Sequence, residues 1–235
     1  MNFSILLMKG RALVLVGLSA LLLSAAPLAA KDLSRDGILD GIAARYGGVS
    51  ALQATYSRVA KTPSSDQVFK SGSSQVATGV LYWSRPDRLL LDQATPEPEK
   101  MVTDGRTVWW HLPSEKIVYR YRNIDVAGQL KPLMAFLGGL DSLTAEFKVE
   151  VAPPDPARPG QHGLLLSPKR GPEGGVDKLT VWCDQSFILT GFRMNSITGE
   201  STDFYLTGFR ENPKLDAKMF SFKIPRGTEV IEEGE

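Results

Sequence analysis

Cysteine and histidine are almost missing from this sequence: Cys183, His111 and His162 are the only such residues in 235. A lone cysteine closes no internal disulfide, and without a C-x-x-C pair there is no redox or zinc motif of that kind. The spacings G-x-S-x-G and H-E-x-x-H are also absent, so no nucleophile elbow or metalloprotease helix is signalled. An excess of charge of one sign is lacking too, with 27 Lys and Arg against 26 Asp and Glu. Nucleic-acid binding requires a basic face to displace counterions, and nothing here supplies one.

Long apolar runs are missing as well. The longest, Ala12 to Leu23, falls short of the ~20 residues that span a bilayer. Lys9 and Arg11 precede it, and Ser24-Ala25-Ala26-Pro27-Leu28-Ala29-Ala30 follows. That order reads as a secretory signal cleaved after Ala30, with translation starting at Met1 or Met8. The expected organisation is a signal peptide over 1–30 and one domain over 31–235. Losing Lys9 and Arg11 and no acid leaves the mature chain close to neutral. Cys183 lies far from the signal and is no candidate for a lipid anchor, so the expected product is soluble.

What is present is strand. About eleven runs alternate or concentrate apolar residues, at 54–61, 76–83, 88–92, 100–103, 107–111, 116–121, 147–151, 163–167, 178–183, 189–195 and 201–210. Ile117, Tyr119 and Tyr121 oppose Lys116, Val118, Arg120 and Arg122, and Leu179, Val181 and Cys183 oppose Lys178, Thr180, Trp182 and Asp184. Such alternation marks an antiparallel sheet with one face in water. Two segments read as helices. Ser34 can cap a stripe of Ile38, Ile42 and Tyr46 that stops at Gly47-Gly48, and Pro132 can open a short helix carrying Leu133, Met134, Phe136 and Leu137 before Gly138-Gly139. The polar stretches 62–75, 152–162 and 167–177 read as surface loops, not domain boundaries.

The chemical inventory is thin. His111 ends a Trp-Trp strand and reads as a structural histidine, His162 sits in a Pro-Gly loop, and Cys183 falls on an apolar strand face. Glu97 and Glu99 flank prolines and read as solvated. No metal, cofactor or catalytic residue is expected. Two short helices cannot cover one face of eleven strands, so the sheet either curls onto a packed interior or curls around a hollow that the helices roof. The residues alone leave both open.

"ALQATYSRVAKT" at 51–62, "GVLYWSRPDRLLL" at 79–91, "MVTDGRTVWWHLPSEKIVY" at 101–119, "KPLMAFLGGLDSLTAEFKV" at 131–149 and "NPKLDAKMFSFKIPRGTEVI" at 212–231 together resemble the LolA family of outer-membrane lipoprotein carriers. The resemblance implies an unclosed antiparallel β-barrel of about eleven strands with a helical lid. It also implies a monomeric periplasmic carrier, not an enzyme, that shuttles lipoproteins from an inner-membrane lipoprotein-releasing ABC transporter to an outer-membrane acceptor. By motif match, Arg85 fastens the lid. Leu81, Trp83, Leu89, Leu91, Val108, Trp110, Ile117 and Tyr119 line the acyl-chain cavity, and Ile38, Ile42, Leu133, Met134, Phe136 and Leu137 belong to the lid. A carrier or sensor of another envelope lipid, or an enzyme acting on lipid with His111 turned into the cavity, would share this fold.

Overall fold

Ser34 opens the first helix as the cap chemistry requires: its Oγ accepts the Gly37 N–H at 3.2 Å, satisfying one of the free donors of the first turn. The helix, α1 (Arg35–Tyr46), buries Ile38, Leu39 and Ile42 and ends at Gly47. In the computed structural model the described residues are 33–61, 76–122, 134, 137, 140–172 and 175–233, all within the unit Asp32–Glu235. The expected signal segment 1–30, the expected loop 62–75 and the expected lid residues Leu133 and Phe136 lie outside them. Met134 and Leu137 are helical, Met134 being buried, and a further short helix, α2 (Leu140–Glu146), follows.

Every expected strand is present within a few residues. They are β1 (Ala51–Lys61), β2 (Val76–Ser84), β3 (Arg88–Thr95), β4 (Glu99–Thr103), β5 (Val108–Leu112), β6 (Ile117–Tyr121), β7 (Phe147–Val151), β8 (His162–Pro168), β9 (Val176–Cys183), β10 (Leu189–Ser196) and β11 (Ser201–Glu211). A twelfth, β12 (Glu229–Glu233), was not expected. It runs parallel to β6 and forms one edge of a single sheet ordered β12-β6-β5-β4-β3-β2-β1-β11-β10-β9-β8-β7. Glu-Val-Ile-Glu-Glu offers too few apolar residues to announce a strand, and its acids suit an exposed edge where Arg120 and Arg122 pair with Glu232. The two ends of this order are not paired to each other, so the sheet is an open, curved half-barrel of the expected class.

Register decides which side chains meet. On the concave face Trp83, Leu89, Thr103, Val108 and Tyr121 form one row across β2 to β6, and Leu81, Leu91, Met101, Trp110 and Tyr119 form the next. Ile38, Leu39 and Ile42 of α1 join Leu52, Trp83, Leu89, Val181 and Phe192 in the main core. Each full burial of such a side chain is worth roughly 1.5–3 kcal/mol.

The convex face is not left to water, contrary to expectation. Over β2 to β5 the chain after β11 lays down a 3₁₀ turn (Ala217–Phe220), and Phe220 is buried with Leu90 and Val102. Arg88 lies half-buried over the Phe220 ring at 5.6 Å. Over β9 to β11 the proline-rich loop 152–161 performs the same service. Arg158, 3% exposed, lies 4.2 Å from the Trp182 ring centre and 4.3 Å from that of Tyr205. Gly191 pairs with both aromatic residues and admits the guanidinium between them, since a Cβ there would stand 2.7 Å from Arg158 Nη1.

Candidate functional site

The β2–β3 hairpin carries Arg85 toward the root of α1. Ser84 pairs with Arg88, closing a tight connection through Arg85, Pro86 and Asp87. The Arg85 backbone N–H donates to Ser50 O at 2.9 Å, and its half-buried side chain donates from Nε to Val49 O at 2.9 Å. Both acceptors lie in the joint between α1 and β1. The guanidinium also sits 5.6 Å from the centre of the Trp83 ring.

Arg85 is not alone at this joint. Asn212 Oδ1 accepts the Ser50 N–H at 2.8 Å, Arg45 Nη1 donates to Glu211 Oε2 at 3.0 Å, and the Tyr46 hydroxyl accepts the Leu189 N–H at 2.9 Å. Burial is the main cause that raises the Tyr46 pKa above its ordinary value. Further along α1, the Phe187 ring occupies the space where a side chain at Gly41 would lie.

Among the described residues two adjoining hollows open on the concave face. One is lined by Leu52, Leu81, Leu137, Val181, Phe192 and Leu206, with Leu189, Gly191 and Phe209 beside them. The other lies between Ile42, Tyr46, Leu52, Trp83, Leu137 and Leu189. They share Leu52, Leu137 and Leu189, so one set of aliphatic side chains borders both.

The residues expected to line a cavity all lie on this concave face, but at different depths. Leu81 and Trp83 border the hollows. Leu89 and Val108 are packed into the core, with Leu91 half-buried against it. Trp110, Ile117 and Tyr119 continue the face toward the β12 edge and remain half-buried, with the Trp110 and Tyr119 rings 5.4 Å apart. Of the lid set, Ile38, Ile42 and Met134 are buried in the core, and Leu137 borders both hollows.

Much of the wall comes from residues that alternation did not single out. Leu189 and Phe192 are three apart, as are Leu206 and Phe209, yet each pair faces the same hollow. A register shift lies between Leu189 and Gly191 in β10, and another where β11 meets Gln53 and Thr55 of β1, beside Gly208 at φ +64°. A bulge inserts one residue and so brings side chains at an odd spacing onto the same face. Gly191 and Gly208 were the available signals.

Polar groups stand at the margin of the apolar surface. Glu99, expected to be solvated, is half-buried: its Oε1 accepts from Gln93 Nε2 at 3.1 Å and Arg58 Nη2 at 3.4 Å, and Oε2 accepts from Trp110 Nε1 at 3.4 Å. His111 is on the opposite face from Trp110, 5.5 Å from the Phe222 ring, with its pKa lowered by burial and then by Lys100. His162 Nε2 is 3.1 Å from Gln185 Oε1. Burial pushes the Cys183 thiol up to about 12, which leaves it protonated and unreactive at neutral pH. Among the described residues no cluster of His, Cys, Asp and Glu could hold a metal ion.

The fold and its hollows define a helix-roofed half-barrel with an apolar interior. The family model for the outer membrane lipoprotein carrier protein LolA matches residues 60–223, more than half of the chain. The chain belongs to the LolA family. Outer-membrane lipoprotein carrier proteins from Hahella chejuensis and Chromohalobacter salexigens are 29% and 28% identical to it, each over 81% of this chain and 90% of the relative. Among solved structures, a LolA superfamily protein from Nitrosomonas europaea is 11% identical with a TM-score of 0.43, covering 81% of this chain and 98% of that one.

Proposed function

We propose that this protein is a soluble periplasmic carrier that takes the acyl chains of lipoproteins into its concave face. In this reading it receives them from an inner-membrane releasing transporter and delivers them to an outer-membrane acceptor, acting as a monomer and performing no catalysis. Residues 1–30 direct secretion and are removed after Ala30. The observation that carries the reading is the apolar lining of the two adjoining hollows on the concave face, one of them bordered by Ile42 and Tyr46 of α1.

Water exclusion supplies the binding energy. Hiding an acyl chain is worth roughly 0.8 kcal/mol per CH₂, so a chain of about sixteen carbons represents on the order of 12 kcal/mol. Ligand pockets usually span ~300–1,000 Å³, and the space left free between these side chains is far smaller, on the scale of a single water molecule. Cargo entry therefore requires α1 and the neighbouring lid segment to lift. Arg85 resists that motion through Val49 O, holding the empty form shut. A closed empty state lowers apparent affinity by the fraction of open molecules, which suits delivery to a stronger acceptor without ATP.

His111 faces away from the hollows, which removes the observation that would have favoured an enzyme acting on lipid. The deciding experiment is mass spectrometry of what copurifies with the mature protein, paired with transfer of a purified lipoprotein from inner-membrane vesicles. Acylated cargo bound and passed on is the expected result; protein that never releases lipoprotein from those vesicles overturns the carrier reading.

A further inference from the structure

Trp83 presents a polar atom where an apolar wall needs none. It is 1% exposed, borders the hollow formed with Ile42, Tyr46, Leu52, Leu137 and Leu189, and its Nε1–H has no hydrogen-bond partner. Buried indole N–H groups normally find an acceptor, because leaving one unpaired forfeits its hydration. Trp110, three strands away on the same face, does so through Glu99 Oε2 at 3.4 Å. Within the hollow the Tyr46 hydroxyl is already engaged as the acceptor for Leu189 N–H. Trp83 thus holds an unused donor in a lining whose other polar side-chain group, among the described residues, is the Tyr46 hydroxyl.

We propose that the Trp83 indole N–H binds an acyl carbonyl oxygen of the cargo, fixing how deep the chain sits; this rests on the carrier reading above. Indole nitrogen donates only, and an ester or amide carbonyl accepts only, so the two groups match without bringing charge into the hollow. The methylene tail needs no directional partner, whereas the carbonyl at its head would otherwise lose its water unpaid. A bare hydrocarbon leaves the donor unused, and a carboxylate brings a charge that an apolar site disfavours. Position is consistent with the match: the Arg85 guanidinium lies 5.6 Å from the centre of the same ring, so the Trp83 ring stands beside the hairpin that reaches the root of α1.

Three probes of equal tail length separate the possibilities: decane, methyl decanoate and N-methyldecanamide. Binding to the wild-type protein should favour the ester and the amide over decane by about three- to tenfold, the amide more strongly if the cargo carbonyl is amide-linked. Trp83→Phe should lose that preference, whatever its absolute affinity. A variant that fails to fold does not end the test, because the indole N–H resonance of Trp83 in labelled wild-type protein should move downfield with the ester and amide and not with decane. Equal wild-type affinities for all three probes overturn the proposal and leave the carrier reading standing, as does an unmoved indole resonance. Absence of binding by any of them overturns both.

Discussion

Leu81 and Leu91 are neighbours across β2 and β3, yet burial separates what a charge would do at each. Leu81 is 3% exposed on the hollow's wall, so Leu81→Asp would put a carboxylate in the core and unfold much of the protein. Leu91 is half-buried against that core, which makes it the better probe of the proposed binding face. Leu91→Asp is expected to cost about 1–3 kcal/mol in urea denaturation while leaving a native circular-dichroism spectrum. Acyl-probe and lipoprotein binding should weaken about tenfold or more, the scale of one buried apolar contact exchanged for a charge. Unchanged lipoprotein uptake by the folded variant would place Leu91 outside the cargo path.

Loop 152–161 shows how an element can be anchored by polar groups where no apolar cover exists. Asp203, 1% exposed, takes a two-point contact from Arg193 at 2.8 and 3.2 Å and faces Arg158 at 3.8 Å and Lys61 at 3.7 Å. Asp155 at the loop's own start pairs with Arg193 at 3.2 Å. Removing the hub leaves two arginines close together with one carboxylate, and breaking a buried pair of this kind costs about 3–5 kcal/mol. Asp203→Asn should therefore lower the urea midpoint substantially and expose the loop to limited proteolysis between 152 and 161. Arg158→Met, which keeps a long side chain between Trp182 and Tyr205 and leaves Arg193 on Asp203, should cost less. Equal losses in the two variants would mean that the loop is held by stacking and not by the charge network.

At the scale of the whole molecule, a carrier must both accept and surrender its cargo, and Arg85 bears on the balance. Its bond to Val49 O ties the β2–β3 hairpin to the root of α1, beside the Asn212 and Tyr46 contacts to the same joint. Arg85→Leu removes one tie and keeps the apolar wall, so the protein should load from inner-membrane vesicles at least as well as wild type. Delivery to an outer-membrane acceptor should fall, because the closed empty state that follows release is less favoured. Arg85→Lys cannot reproduce the planar guanidinium and should fall between the two. Loading and transfer measured separately on folded protein decide the matter; equal losses in both steps would make Arg85 a part of the turn and nothing more.

Local chemistry determined the elements. Ser34 announced α1, and period-two alternation placed Ile117, Tyr119 and Tyr121 on one face of their strand, because side-chain direction in a strand depends only on parity. Tertiary structure decided everything that depends on distant partners. Bulges in β10 and β11 brought Leu189 with Phe192 and Leu206 with Phe209 onto the hollow, breaking the parity on which the alternation rests. β12 became a strand only because β6 offered an unpaired edge, and Phe220 and Arg158 found burial only because the folded sheet presented a convex face for them to cover. None of these is written within a window of a few residues, since each arises from backbone groups that meet only after the sheet has curved.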